Sequence, residues 1–327
     1  GVSGTGCCIC RTLNFSMAGK RWTRARTGAV KVLFHYEVGE RLNTRLRNMA
    51  GEAIDLVYCR QDDEARFADE IQTADVLWHV LKPVEKAHIE SASNLKLIQK
   101  IGVGVNTIDI EAAKQANIAV CNMPGTNSRA VAEMTLMLML AALRLQPRLD
   151  ALCRSGEWRP DQASVESFGE LGGRVVGLVG FGDVAEILAP ILTVIGAKVI
   201  YTSRSPKKVP YEFVDLEDLL HRADIVSLHL PLTPDTEHLL NAKRIAQMKT
   251  GAVLINTARG GLVDEGALYE ALAAGNLHAA GLDVFAIEPT PAEYPLLKLQ
   301  NVVPAPHVAW LTTETWERPA TYDDMGW

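Results

Sequence analysis

From Val30 onward, short apolar and β-branched runs alternate with longer segments of helical character. VKVLFHY, IDLVYC, ADVLWHV, LKLIQKIGV and IAVCN read as strands, and GERLNTRLRNMAG and DIEAAKQA as helices between them. Strands alternating with helix-length segments predict βαβ units and a mainly parallel sheet. The rhythm breaks at NMPGTN, a Pro-Gly turn. After it SRAVAEMTLMLMLAALRLQ reads as one long helix with Asn127 or Ser128 as its N-cap, which places a domain boundary near Met123.

A second series follows: RVVGLVG, AKVIYTS, ADIVSLHLP, GAVLINTA, HAAGLDVF and NVVPAPH. Six strand candidates with helix-like connections match a doubly wound, dinucleotide-binding sheet of the Rossmann type. The predicted fold class is α/β with two βαβ domains.

Length and composition agree with two domains. At 327 residues and 48% apolar content the chain can bury two moderate cores. The net charge of −6, with both signs mixed, lacks the footprint of a nucleic-acid binder. No apolar run approaches the roughly 20 residues of a membrane helix, and Met134–Leu143 fits a buried helix better. Of six cysteines, Cys7 and Cys10 form a C-x-x-C without a second pair, so no metal site is expected. Scattered thiols without a disulfide framework fit a reducing compartment, and a cytoplasmic location is expected. Residues 1–29 carry five basic residues and no acid, a composition shared with organelle transit peptides. This leader is expected to be poorly ordered and is set apart from the fold.

Candidate chemistry begins at VVGLVGFGDVAEIL, where Gly180-x-Gly182-x-x-Ala185 follows a strand and opens a helix. Gly180 permits the tight turn, Gly182 lets backbone approach a pyrophosphate, and Ala185 allows close packing of helix on strand. Phe181, Asp183 and Val184 complete the predicted cofactor turn. Pro190 interrupts the helical pattern and is expected to kink it. Sites that prefer NAD place an acid about 20 residues on, against the ribose 2′-OH. Here that place reads Tyr201-Thr202-Ser203-Arg204, followed by Lys207 and Lys208, with no acid before Glu212. An arginine pairs with a 2′-phosphate that a carboxylate would repel, so NADP(H) is the preferred cofactor and NAD(H) the alternative. A solvated basic loop is the bland reading of the same residues.

Downstream, INTARGGLVDEGAL, GLDVFAIEP and VVPAPHVAW place Arg259, Glu288 and His307 each just beyond an apolar strand, where open parallel sheets gather ligands. Singly, each has a structural explanation: a surface pair, a loop cap, a core histidine. Together beside a dinucleotide fold they suggest carbonyl reduction.

With KIGVGVNTID, NMPGTNSRAVAE, VGFGDVA and LHLPLTPDT, these motifs make the chain resemble the D-specific 2-hydroxyacid dehydrogenase family from about Val30 to Glu317. The resemblance implies a flavodoxin-like substrate domain (30–122 and 305–327), a Rossmann domain (123–304), an active site in the cleft between them, and a homodimer. It also implies His307 as general acid/base, Glu288 as its partner favouring the imidazolium, and Arg259 as the group gripping the substrate carboxylate. Backbone N–H groups of Val103 and Gly104 would bind the same carboxylate. Asp283 would contact the nicotinamide carboxamide, and Pro231, Thr236 and Thr257 would line the cofactor. The implied substrate is a small 2-oxo acid of the glyoxylate or hydroxypyruvate type, reduced to the D-2-hydroxy acid. Tyr201-Thr202-Ser203-Arg204 is similar to the strand end of NADPH-preferring glyoxylate/hydroxypyruvate reductases. Formate dehydrogenases share the pattern but place glutamine where Glu288 stands, which argues against that activity. The alternative function is a non-catalytic, nucleotide-sensing scaffold or corepressor of the same fold. One departure stands out: past HVAWLTTETWERP the amphipathic continuation usual in the family is missing, from which a partial or altered C-terminus is expected.

Overall fold

All eleven runs read as strands form strands. In the computed structural model, which describes residues 28–317, they build two sheets in two units parting between Gly125 and Thr126.

The first unit holds β1 (Val30–His35), β2 (Ile54–Cys59), β3 (Val76–His79), β4 (Leu97–Lys100) and β5 (Ala119–Cys121). They lie in the order β2-β1-β3-β4-β5, every neighbour parallel. This is the flavodoxin-like order, with its switch point between β1 and β3. Leu33, Leu77 and Ile98 align across the sheet and are fully buried with Phe67 and Ile71 of the helix Glu64–Ile71.

The second unit holds β6 (Val175–Val179), β7 (Lys198–Thr202), β8 (Glu212–Phe213), β9 (Ile225–Leu228), β10 (Ala252–Asn256), β11 (Leu277–Leu282) and β12 (Val302–Pro304). Their order is β12-β11-β10-β9-β6-β7-β8, again all parallel. From β6 outward this is the Rossmann order with one strand added, and the switch point lies between β6 and β9. Strands β9 and β10 are buried at every position, which is why they read as unbroken apolar runs. The two-residue edge strand β8 escaped the sequence reading because it is too short for any periodicity.

Caps fix where the helices begin. The side chains of Asp63, Asp109, Asp215, Asn241 and Asp264 each accept the backbone N–H three residues on. The long helix is Ser128–Leu143, with Asn127 as N-cap residue. It stops short of Gln146 because Leu145 adopts a left-handed backbone (φ 50°), and the next helix, Gln146–Ser155, turns away by 64°. Among the described residues no single helix is long and apolar enough to cross a membrane. The helix Asp183–Val194 runs unbroken through Pro190.

Two boundaries differ from expectation. The units part three residues past 122, and residues 305–317 group with the second unit instead of rejoining the first. The cause is local bonding: Asp283 holds the Val308 and Ala309 N–H groups, and the Ala305 and His307 N–H groups donate to the Leu282 and Asp283 carbonyls. The basic leader up to residue 27, with Cys7 and Cys10, and the segment 318–327 lie outside the described residues.

Candidate active site

The turn after β6 is shaped by two glycines for different reasons. Gly180 has φ +95°, and a Cβ there would lie 2.4 Å from the His229 carbonyl oxygen at the end of β9. Only glycine satisfies both the backbone and the close approach. At Gly182 the opposite holds: an added Cβ meets nothing within 4 Å, and Gly182 and Asp183 are exposed. The helix Asp183–Val194 opens there with its first N–H groups lacking intrahelical partners. Ala185 is fully buried and packs the helix down. Of the expected cofactor turn Gly180, Phe181, Gly182, Asp183 and Val184, Gly180 has its N–H on the Thr202 carbonyl (2.9 Å), and the open helix N-terminus at the switch point suits a dinucleotide pyrophosphate.

At the end of β7, Thr202 and Ser203 are half-buried, while Arg204, Lys207 and Lys208 are exposed. The Arg204 guanidinium has no partner among the described residues. Ser203 Oγ donates to the Ser205 carbonyl (2.7 Å), so its lone pairs and not its proton face outward. Glu212, the first acid downstream, points the other way. It sits on β8 opposite Ile200 and is gripped by both Arg222 nitrogens (2.7 and 2.9 Å) with Lys198 nearby. Those charges hold its carboxyl below the ordinary range.

The catalytic candidates meet at the carboxyl ends of β10, β11 and β12. His307 Nδ1 lies 2.6 Å from Glu288 Oε2. With a carboxylate on Nδ1, that nitrogen donates, and Nε2 has no partner among the described residues. Burial works to raise the Glu288 carboxyl, but the His307 bond, the Phe285 N–H (2.9 Å) and the Arg259 charge leave it below its usual value. Arg259 is extended (φ −150°, ψ 139°), its carbonyl held by Asn256 Nδ2 at 2.8 Å. Burial pulls its guanidinium down and Glu288 pushes it back up, so the two charges sense each other. His307 has φ +55°, a conformation that costs a non-glycine residue about 1–3 kcal/mol unless its surroundings impose it. They do: its N–H donates to the Asp283 carbonyl (2.7 Å), and its carbonyl accepts the Trp310 indole (3.0 Å).

Asp283, expected against the nicotinamide carboxamide, lies under the His307 loop. It is fully buried, and its two carboxylate oxygens take the Val308 and Ala309 N–H groups at 2.9 Å. Burial nonetheless holds this carboxyl above the ordinary range. In this arrangement Asp283 shapes the His307 loop. Thr257 is likewise buried, its hydroxyl 2.9 Å from Thr135, which donates to the Val131 carbonyl. Thr236 ties its own loop together through the Pro231 carbonyl (2.8 Å) and the Thr233 N–H (2.8 Å). In the first unit, the loop after β4 is pinned by Met123 N–H on the Gly102 carbonyl and Asn122 Nδ2 on the Val103 carbonyl. The Val103 and Gly104 N–H groups donate to nothing among the described residues.

Three supporting residues escaped the sequence reading. A Cβ on Gly260 would fall 2.0 Å from the Phe285 carbonyl carbon, so the turn after Arg259 can press against the Glu288 loop only with glycine there. The Gly260-Gly261 pair in ARGG was the available signal. Glu265 accepts the Ala286 N–H (3.0 Å) and the Tyr294 hydroxyl, fixing that loop from outside. Neither Glu265 nor Tyr294 carries a sequence signal, because their contacts span 21 and 29 residues.

Residues 136–309 match the model of the D-isomer specific 2-hydroxyacid dehydrogenase NAD-binding domain. The chain is 42% identical over 234 residues to a hydroxypyruvate reductase of Thermotoga maritima, covering 70% of this chain and 76% of that protein. It belongs to the D-isomer specific 2-hydroxyacid dehydrogenase family. A glyoxylate reductase of Thermococcus litoralis is also 42% identical, over 73% of this chain and 74% of that one. Against the D-3-phosphoglycerate dehydrogenase of Methanocaldococcus jannaschii the identity is again 42%, but the match spans only 49% of that longer protein. Among solved structures, the TT0316 protein of Thermus thermophilus superposes with a TM-score of 0.80 at 38% identity, over 89% of this chain and 93% of that one. The family is one of oxidoreductases with a nicotinamide cofactor, and the two-sheet α/β architecture is its fold.

Proposed function

We propose that this dehydrogenase reduces a small 2-oxo acid of the glyoxylate or hydroxypyruvate type to the D-2-hydroxy acid, with NADPH preferred over NADH. The 2.6 Å bond between His307 and Glu288 carries this reading, because it leaves one imidazole nitrogen poised for proton transfer. When bound, the nicotinamide supplies the hydride. Glu288 accepts from Nδ1 and fixes the ring, so Nε2 is placed to donate a proton to the carbonyl oxygen as negative charge develops there. Reversing the step, neutral Nε2 takes the proton from the hydroxyl. Arg259 is suited to grip the substrate carboxylate and polarise the carbonyl. In the first unit, the unbonded N–H groups of Val103 and Gly104 are suited to a carboxylate in the same way. An acid at position 288 supports proton transfer over formate oxidation, which needs none.

NADPH preference rests on Arg204, exposed without a partner, and on Glu212 being drawn away by Arg222. Homodimerisation is part of the same proposal, supported by Met137 and Leu140 exposed on the long helix and by Trp158, 87% exposed. Substituting Arg204→Ala is expected to raise KM for NADPH about tenfold or more with NADH within twofold. Equal changes for both cofactors would leave the basic strand end as a solvated loop.

A further inference from the structure

The basic strand end hangs on a single buried phenol. Tyr201 is 1% exposed, and its hydroxyl accepts the Lys207 N–H at 2.8 Å and reaches the Lys207 carbonyl at 3.4 Å. One side chain thus closes both backbone groups of a residue six positions on. The loop it closes carries Ser203, Arg204 and Ser205, and a second bond inside it runs from Ser203 Oγ to the Ser205 carbonyl. The Tyr201 ring packs on Phe181 at 4.5 Å between centroids and edge-on against Phe213 at 5.5 Å. Phe181 lies between the two glycines of the pyrophosphate turn, so one ring ties that turn to the basic loop.

Phenylalanine would fill the same apolar space, so packing alone does not account for the hydroxyl. What the hydroxyl adds is a fixed loop. We propose that Tyr201 is a positioning residue for cofactor selectivity: its hydroxyl holds the Ser203–Lys208 loop in the one conformation that presents Arg204 to a 2′-phosphate. This deepens the NADPH reading given above and rests on it. Without the clamp, Arg204 still carries its charge, but binding must first order the loop that bears it. A ribose 2′-OH has no such need of the arginine, so NADH is spared.

The test is Tyr201→Phe, which keeps the ring. KM for NADPH is expected to rise about three- to tenfold, the range set by one lost hydrogen-bonded clamp. KM for NADH should stay within twofold and kcat with saturating NADPH should be unchanged. Without cofactor, trypsin should cut after Arg204 or Lys207 several-fold faster in the variant, with the sites mapped by mass spectrometry. Equal weakening of both cofactors, or unchanged cleavage, overturns the clamp and reduces Tyr201 to a core residue. If wild-type protein favours NADPH and Arg204→Ala abolishes that preference while Tyr201→Phe leaves it intact, this inference alone fails. If wild-type protein does not distinguish the cofactors and Arg204→Ala changes nothing, the NADPH reading fails and the inference with it.

Discussion

At the scale of single residues, the site depends on one imidazole held in a conformation that histidine rarely adopts. His307 is bonded at its N–H and its Nδ1 by Asp283 and Glu288 after β11, and at its carbonyl by Trp310 of its own loop. That is the pre-organisation a general acid needs, since a free ring would sample many orientations before each transfer. Replacing His307 with alanine is therefore expected to lower kcat by about 10²–10⁴-fold. NADPH affinity, measured by fluorescence titration, should change by less than twofold, because the ring is hydrogen-bonded to Glu288 and not to the glycine turn among the described residues. A matching loss of affinity would mean that His307 supports the fold of the site and not its chemistry. Asp283 teaches the complementary lesson. Its motif position pointed at the cofactor, and its carboxylate also binds two backbone N–H groups 25 and 26 residues on, a contact invisible in sequence.

At the scale of elements, what was legible follows from periodicity and what was not follows from distance along the chain. Strands such as β9 and β10 were readable because parallel strands buried on both faces are continuous apolar runs. The glycine turn was readable because its spacing encodes a local strand–helix junction. The end of the long helix was misplaced by a few residues because leucine at 145 gives no hint of a left-handed backbone. Strand β8, the 305–317 segment and the Glu265–Tyr294 brace all depend on partners far away in sequence. Gly260 shows how an element can be decided by a missing atom. A methyl group there would overlap the Phe285 backbone and drive the Arg259 turn away from the Glu288 loop. Gly260→Ala is expected to cost about 1–3 kcal/mol in urea unfolding and to lower kcat/KM more than tenfold. A fully active, equally stable variant would show that the two loops need no such contact.

At the scale of the whole molecule, buried histidines make stability sensitive to acid. His35 and His79, register partners on β1 and β3, have pKa values pulled down by burial to about 4 and about 3. In the second unit, burial lowers His229 to about 4. The unfolded chain protonates these rings below about pH 6.5, where the folded protein still keeps them neutral. Protons then favour unfolding, so stability is full above pH 6.5 and falls as pH drops towards 4. The slope is about 1.4 kcal/mol per pH unit for each such histidine. Urea unfolding at pH 7 and pH 5 checks this; equal stability at both would contradict it. The central claim is carbonyl reduction by this site, and absorbance at 340 nm tests it most directly. Wild-type protein mixed with NADPH and hydroxypyruvate or glyoxylate should consume NADPH with turnover, faster than with NADH, and yield the D-2-hydroxy acid. Cofactor binding without turnover across a panel of 2-oxo acids would contradict the account.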